Sequence, residues 1–192
     1  MMRRFVLAVA AVIVFVAGCA DPELFSEIFQ LRQGQKLYTR YNLWYTNPAE
    51  ISCLNIQQGA FIPLGTEIIP VKTTITGDIV FRDVEGKEYT INFHEGHRLC
   101  SMREYIRQTF GTLDRDELLA GIPDEVQARI LRGEVVPGMN QAQVLLAYGP
   151  PPAIRTPQLT NESWIYWIGE SRTIRVIFRG DQVRSILNLD NE

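Results

Sequence analysis

The hydrophobic period of this chain changes twice, and that change constrains its fold more than any single residue does. Apolar and polar residues alternate between Lys36 and Phe93, recur at three- and four-residue spacings from Ser101 to Tyr148, and alternate again from Ser163 to Leu189. Alternation places side chains on the two faces of a strand, whereas the longer spacing places them on one face of a helix. The pattern predicts an α+β protein in which a β-rich N-terminal module precedes a unit of helices followed by strands.

In the first region, Leu37, Thr39, Tyr41, Leu43 and Tyr45 alternate with Tyr38, Arg40, Asn42 and Trp44, and Asn47-Pro48 ends the run. Further short strands are expected within Gly59–Thr66 and over Glu67–Thr74, Asp78–Asp83 and Glu88–Phe93, with Glu85-Gly86 as a hairpin turn. Such spacing implies a small open antiparallel sheet or a partly closed barrel, and the Lys36–Phe93 stretch resembles bacterial SH3-like modules. After Cys100, Ser101–Phe110 reads as a short helix stopped by Gly111. Asp114/Glu117 and Asn140/Gln143 each have the spacing of a reciprocal cap at a helix start. Pro123 opens a helix carrying Val126, Ile130 and Leu131, and Gly149 with Pro150-Pro151-Pro152 ends the last one. The final strands, Ser163–Ile168, Thr173–Arg179 and Gln182–Leu189, are joined by turns at Gly169-Glu170-Ser171 and Gly180-Asp181. Ile174, Val176 and Phe178 give the middle one an apolar face, and two helices laid on it form a two-layer ααβββ sandwich.

At the N-terminus, Arg3-Arg4, the apolar run Phe5–Val16 and the small residues Ala17-Gly18 have the layout of a secretory signal. The run is too short to cross a membrane as a helix. Val16-Ala17-Gly18-Cys19 resembles the lipobox of bacterial lipoproteins, which implies removal of residues 1–18 and lipid on the Cys19 sulfur; residues 19–35 then read as a tether, with a short helix over Pro22–Leu31 as the alternative. Ala20 after the cysteine favours the periplasmic face of the outer membrane, since aspartate there is the family's inner-membrane signal. The formal charge is −3, and loss of Arg3 and Arg4 makes the mature part more negative, with no basic stripe for nucleic acid. Cys53 and Cys100 form an even pair in an oxidising compartment, which reads as a disulfide contributing about 4 kcal/mol through loop closure, or as two buried thiols.

The C-terminal third carries Val136-Pro137-Gly138-Met139-Asn140, Tyr148-Gly149-Pro150-Pro151, Trp164-Ile165-Tyr166, Val176-Ile177-Phe178, Gly180-Asp181-Gln182-Val183 and Ile186. This set resembles the small lipoprotein domain of the BamE (SmpA/OmlA) family. The resemblance implies an α+β domain over residues 122–192, and for true BamE proteins a place in the complex that inserts β-barrels into the outer membrane. BamE proteins begin this domain soon after the lipidated cysteine, whereas here a β-rich module (36–100) and a helical connector (101–121) intervene.

Catalytic chemistry is not assembled by these residues. His94-Glu95-Gly96-His97, with Cys100 nearby, has metal-ligating types but lacks the His-Glu-x-x-His spacing, and it reads as a polar loop. No nucleophile elbow or phosphate-binding glycine loop is present. The aromatics Tyr38, Tyr41, Trp44 and Tyr45 read as sheet core or as a recognition patch, and Trp164 and Trp167 point to opposite faces of one strand. The expected protein is a non-enzymatic, lipid-anchored envelope protein with no metal or cofactor. It binds the membrane through Cys19 and a protein partner through its folded part, the alternative being a cell-wall or small ligand held by the β-rich module.

Overall fold

The computed structural model describes residues 23–189, so the signal segment 1–18, Cys19 and the rest of 19–22 lie outside the described residues. The protein is a mixed α+β structure with a six-stranded sheet, a three-stranded sheet and a two-stranded ribbon. The first element of the described residues is α1 (Glu23–Phe29), which matches the short-helix alternative within 19–35. Phe25 of this helix is fully buried, 5.6 Å from the Phe110 ring, and Ile28 is buried beside it. One face of α1 is therefore core rather than spacer, because Leu24, Phe25, Ile28 and Phe29 recur at helical spacing and find an apolar partner surface.

The expected long strand from Lys36 divides into β1 (Leu37–Thr39) and β2 (Leu43–Tyr45). Its physical cause is visible at Tyr41, Asn42 and Leu43, three successive buried residues that a regular alternating strand cannot supply. The chain leaves one sheet at Arg40 and enters the small ribbon, where β2 pairs with β4 (Ala60–Ile62). Between them lies β3 (Ile51–Ser52). The strands β5 (Glu67–Thr73), β6 (Asp78–Asp83) and β7 (Glu88–Asn92) follow as an antiparallel meander. Pro70 sits at an irregularity in β5, where the register skips from Pro70 to Lys72, and β1 covers only Glu67 and Ile68. A residue without an N–H is accommodated there at no cost in ladder bonds.

After α2 (Glu95–Arg98), α3 (Met102–Thr109) starts with a reciprocal Ser101/Glu104 cap and runs into β8 (Phe110–Gly111). The large sheet has the order β3-β7-β6-β5-β1-β8, antiparallel except for the β3–β7 pair. That parallel pair departs from the expected all-antiparallel module. So does β8, which draws part of the expected connector 101–121 into the sheet. Tyr105, Ile106 and Phe110 fill the same core as Phe25 and Phe81, and Phe110 meets Phe81 edge-on at 5.2 Å.

The remaining connector, α4 (Arg115–Leu119), places Leu119 in a second core. It is followed by α5 (Asp124–Leu131) and α6 (Gln141–Tyr148), and both the Asp114/Glu117 and Asn140/Gln143 caps are formed. β9 (Ser163–Trp167), β10 (Thr173–Arg179) and β11 (Gln182–Asn188) make the three-stranded antiparallel sheet in the order β11-β10-β9. Val176 and Phe178 turn inward with Trp164 and Tyr166, against Ile130, Val144 and Ala147 of the helices. Leu64, from the β-rich half, is fully buried in this second core.

Truncating a buried phenylalanine costs about 3–5 kcal/mol. Phe25→Ala is therefore expected to lower the urea midpoint by an amount corresponding to about 3 kcal/mol, measured on the mature chain. A residue in a free tether would leave the midpoint unchanged.

Candidate interaction groove at the junction of the two cores

Two asparagines join the halves. The Asn42 side-chain amide donates to the Ile130 carbonyl at 2.7 Å and the Ala147 carbonyl at 3.1 Å, and its oxygen accepts from the Leu64 N–H at 2.9 Å. Asn55, in the left-handed conformation at φ 52°, donates to the Asn42 and Tyr148 carbonyls and accepts from the Trp44 N–H. Both residues are buried, and each satisfies backbone groups from two parts of the chain. Around them the backbones approach closely. A Cβ on Gly149 would lie 2.6 Å from the Tyr41 ring, and one on Gly133 would lie 2.5 Å from Trp44. The Tyr166 hydroxyl donates to the Gly149 carbonyl at 3.0 Å.

Arg98 enters the junction from α2. It is 4 % exposed, donates to the Pro150 carbonyl at 3.3 Å and lies 5.4 Å from the Tyr105 ring centroid. Its Nε and the Tyr105 hydroxyl have no hydrogen-bond partner, and among the described residues Arg98 makes no ion pair. Burial pushes the Tyr105 and Tyr41 phenols up, and the Arg98 charge acts in the opposite direction on both. Cys53 and Cys100 pack in the first core as free thiols. Burial raises both thiols above the ordinary value, and Arg98 opposes the rise at each.

Outside the junction runs a groove made of two hollows. One, of about 460 Å³, is lined by Ile28, Phe29, Phe110 and Leu113 with Arg40 and Arg107; the other, of about 450 Å³, is lined by Tyr41, Ile122, Leu145, Leu146 and Pro150. Arg40 and Leu118 border both, so the hollows adjoin. The Arg40 guanidinium is held at this border by the Arg107 carbonyl at the end of α3, 2.9 Å away. The groove can receive an apolar surface carrying negative charge.

The residues singled out in the sequence fall elsewhere. His94 precedes α2 at the N-cap position without a side-chain cap bond, its ring centroid 5.1 Å from that of His97, and no group of His, Cys, Asp and Glu among the described residues is arranged to hold a metal. Tyr41 is core, Trp44 packs on Phe61 at 4.7 Å, and Tyr45 meets Tyr89 at 5.8 Å. Trp164 is the buried tryptophan of its strand, and Trp167 lies half-buried under the Arg155 guanidinium at 5.3 Å. No helix of the described residues is long and apolar enough to cross a membrane. The junction asparagines and Arg98 were not legible as a site. Asn42 could be marked only as an amide inside an aromatic-rich run, and Arg98 stood in a stretch that read as a polar loop. The chain matches no family model, no curated protein and no solved structure.

Removing the Asn42 amide strands one buried N–H and weakens the satisfaction of two carbonyls, at about 1–3 kcal/mol for an unsatisfied group. Asn42→Ala is expected to destabilise the protein by about 3 kcal/mol in urea unfolding. Asn42→Asp, which turns a carboxylate towards two carbonyls, is expected to be worse at neutral pH than in mild acid. For the reduced protein, maleimide should label half-buried Cys100 before buried Cys53. Because the thiolate is the reactive form and both thiols are raised, labelling of each should go on accelerating with pH through the ordinary thiol range, where the rate of a free thiol levels off. Peptide mapping of a time course at stepped pH checks the order and the direction.

Proposed function

We propose that this chain is a lipid-anchored envelope protein, fixed through Cys19 at the periplasmic face of the outer membrane, which binds a protein partner in an assembly role. We propose further that its C-terminal unit is a BamE-like domain serving outer-membrane protein assembly. The reading draws its main support from one observation: the residues carrying the resemblance include the cap of α6 and much of the second core. Asn140 caps α6, Gly149 ends it, and Trp164, Tyr166, Val176, Phe178 and Val183 fill the space beneath the helices. Core packing bears on fold more directly than on function, so the assembly role rests on the anchor and the groove as well. In an oxidising compartment Cys53 and Cys100 are expected to close to a bridge, read as a loss of two hydrogens in the intact mass before reduction.

One observation favours the alternative of a cell-wall ligand on the β-rich module. A cleft of about 190 Å³ is lined by Trp44, Tyr45, Glu50, Ser52 and Gln58 of this module with Glu170 of the β9–β10 turn, an aromatic and polar mixture suited to a sugar.

The test is a mild-detergent pull-down of the tagged, membrane-anchored chain beside a Cys19→Ala control, with mass spectrometry of what is retained. Recovery of β-barrel assembly subunits only with intact Cys19 is the expected result. Recovery of cell-wall polymer alone transfers the function to the Trp44 cleft, and recovery of unrelated envelope proteins removes the assembly role.

A further inference from the structure

The groove beside α3 has two properties that together define an occupant. The first is its charge. Its lining is apolar or uncharged apart from Arg40 and Arg107, and no carboxylate lines either hollow. Among the described residues neither guanidinium makes an ion pair. Arg40 spends one N–H on the Arg107 carbonyl, and its stem lies across Gly111, where a Cβ would come within 3.2 Å of it. The side chain is thus held in place with donors of its fork left over, which is the preorganised form in which arginine recognises a carboxylate.

The second property is an open strand edge. β8 is the outermost strand of the six-stranded sheet, bonded on one side to β1 through Tyr38 and Thr39, with its Phe110 N–H taken by the Ile106 carbonyl of α3, so the free donors lie just beyond it. The chain continues through Thr112 and Leu113, whose backbone N–H groups make no hydrogen bond among the described residues, and the Leu113 side chain is 50 % exposed. Phe110, Gly111, Thr112 and Leu113 all line the first hollow. An unpaired edge alongside an apolar trough takes an extended peptide, whose backbone adds to the edge while alternate side chains enter the trough.

We propose, building on the protein-binding reading above, that this groove holds an extended acidic segment of a protein partner. The segment pairs with the Thr112–Leu113 backbone that continues β8, sets apolar side chains against Phe29, Leu118 and Leu146, and places a carboxylate on Arg40 and Arg107. A lipid tail would use the apolar trough but not the backbone donors at its edge, so a peptide accounts for more of what is there.

The probe is a set of fluorescein-labelled decapeptides in which valine alternates with aspartate, asparagine or lysine, titrated by anisotropy against the full mature chain. The aspartate peptide is expected to bind tightest, the lysine peptide not at all, and salt to weaken the aspartate complex. The double variant Arg40→Ala/Arg107→Gln should lose affinity by about tenfold or more. Equal binding of all three peptides, no binding of the aspartate peptide, or undiminished binding by a double variant with unchanged melting each overturns the proposal. Preference for phosphatidylglycerol vesicles over the aspartate peptide overturns it in favour of a membrane surface. Repeating the pull-down with the double variant separates the two readings. A partner retained by the variant leaves protein binding standing and takes the groove out of it. Absence of any partner with intact Cys19 removes the protein-binding reading itself, while the titration still decides what the groove accepts.

Discussion

The Asn42 amide is the tie on which the arrangement of the two halves depends. It lies where a strand is interrupted, and it acts as a detached peptide group, donating to carbonyls at the ends of α5 and α6 and accepting from the N–H of Leu64. Helix ends leave carbonyls without partners, and burying such ends against another layer is costly unless something reaches them. Asn42 and Asn55 reach the Ala147 and Tyr148 carbonyls from the β-rich half, and Asn42 adds a second donor to the Ile130 carbonyl, which also accepts from the Gly133 N–H. With that made, the aromatic faces of Tyr41 and Trp44 can close on Gly149 and Gly133, where only a residue without a side chain leaves room. The packing between the halves is apolar in bulk but is indexed by these polar groups, because apolar contact alone does not fix orientation.

That arrangement also explains the groove. α3 and β8 belong to the first core, α4 and α6 to the second, and Arg40 stands where the chain crosses between them. Neither half contains the trough by itself. A partner seated there would contact both cores at once, so any loosening of the asparagine tie would reach the binding surface.

Local chemistry made much of the fold legible. The caps at Asp114 and Asn140, the Gly86 turn and the strands Asp78–Asp83 and Thr173–Arg179 follow from short-range rules, because their residues satisfy neighbours within a few positions. What escaped was non-local. The division of the first strand at Tyr41–Leu43, the parallel β3–β7 pair and the recruitment of Phe110 into the sheet all depend on partners distant in sequence. The site was less legible still. The histidines and aromatics that drew notice are placed in packing or at a helix end, whereas Arg40 and Arg107 form a pair only once α3 has turned back against β1.

The asparagine tie has a consequence in time as well as in space. Asn42 meets Ala147 across 105 positions of chain and Ile130 across 88, and Asn55 meets Tyr148 across 93. Contacts of that range require large loops to close before they return any stabilisation, so they form after the meander and the helix caps. A chain emerging N-terminus first therefore passes through an interval in which the sheet exists, Leu64 has no core to enter and two amides wait for helices not yet made. During that interval the protein exposes the surface it later hides, and its maturation depends on whatever shields a half-built chain until the last third arrives.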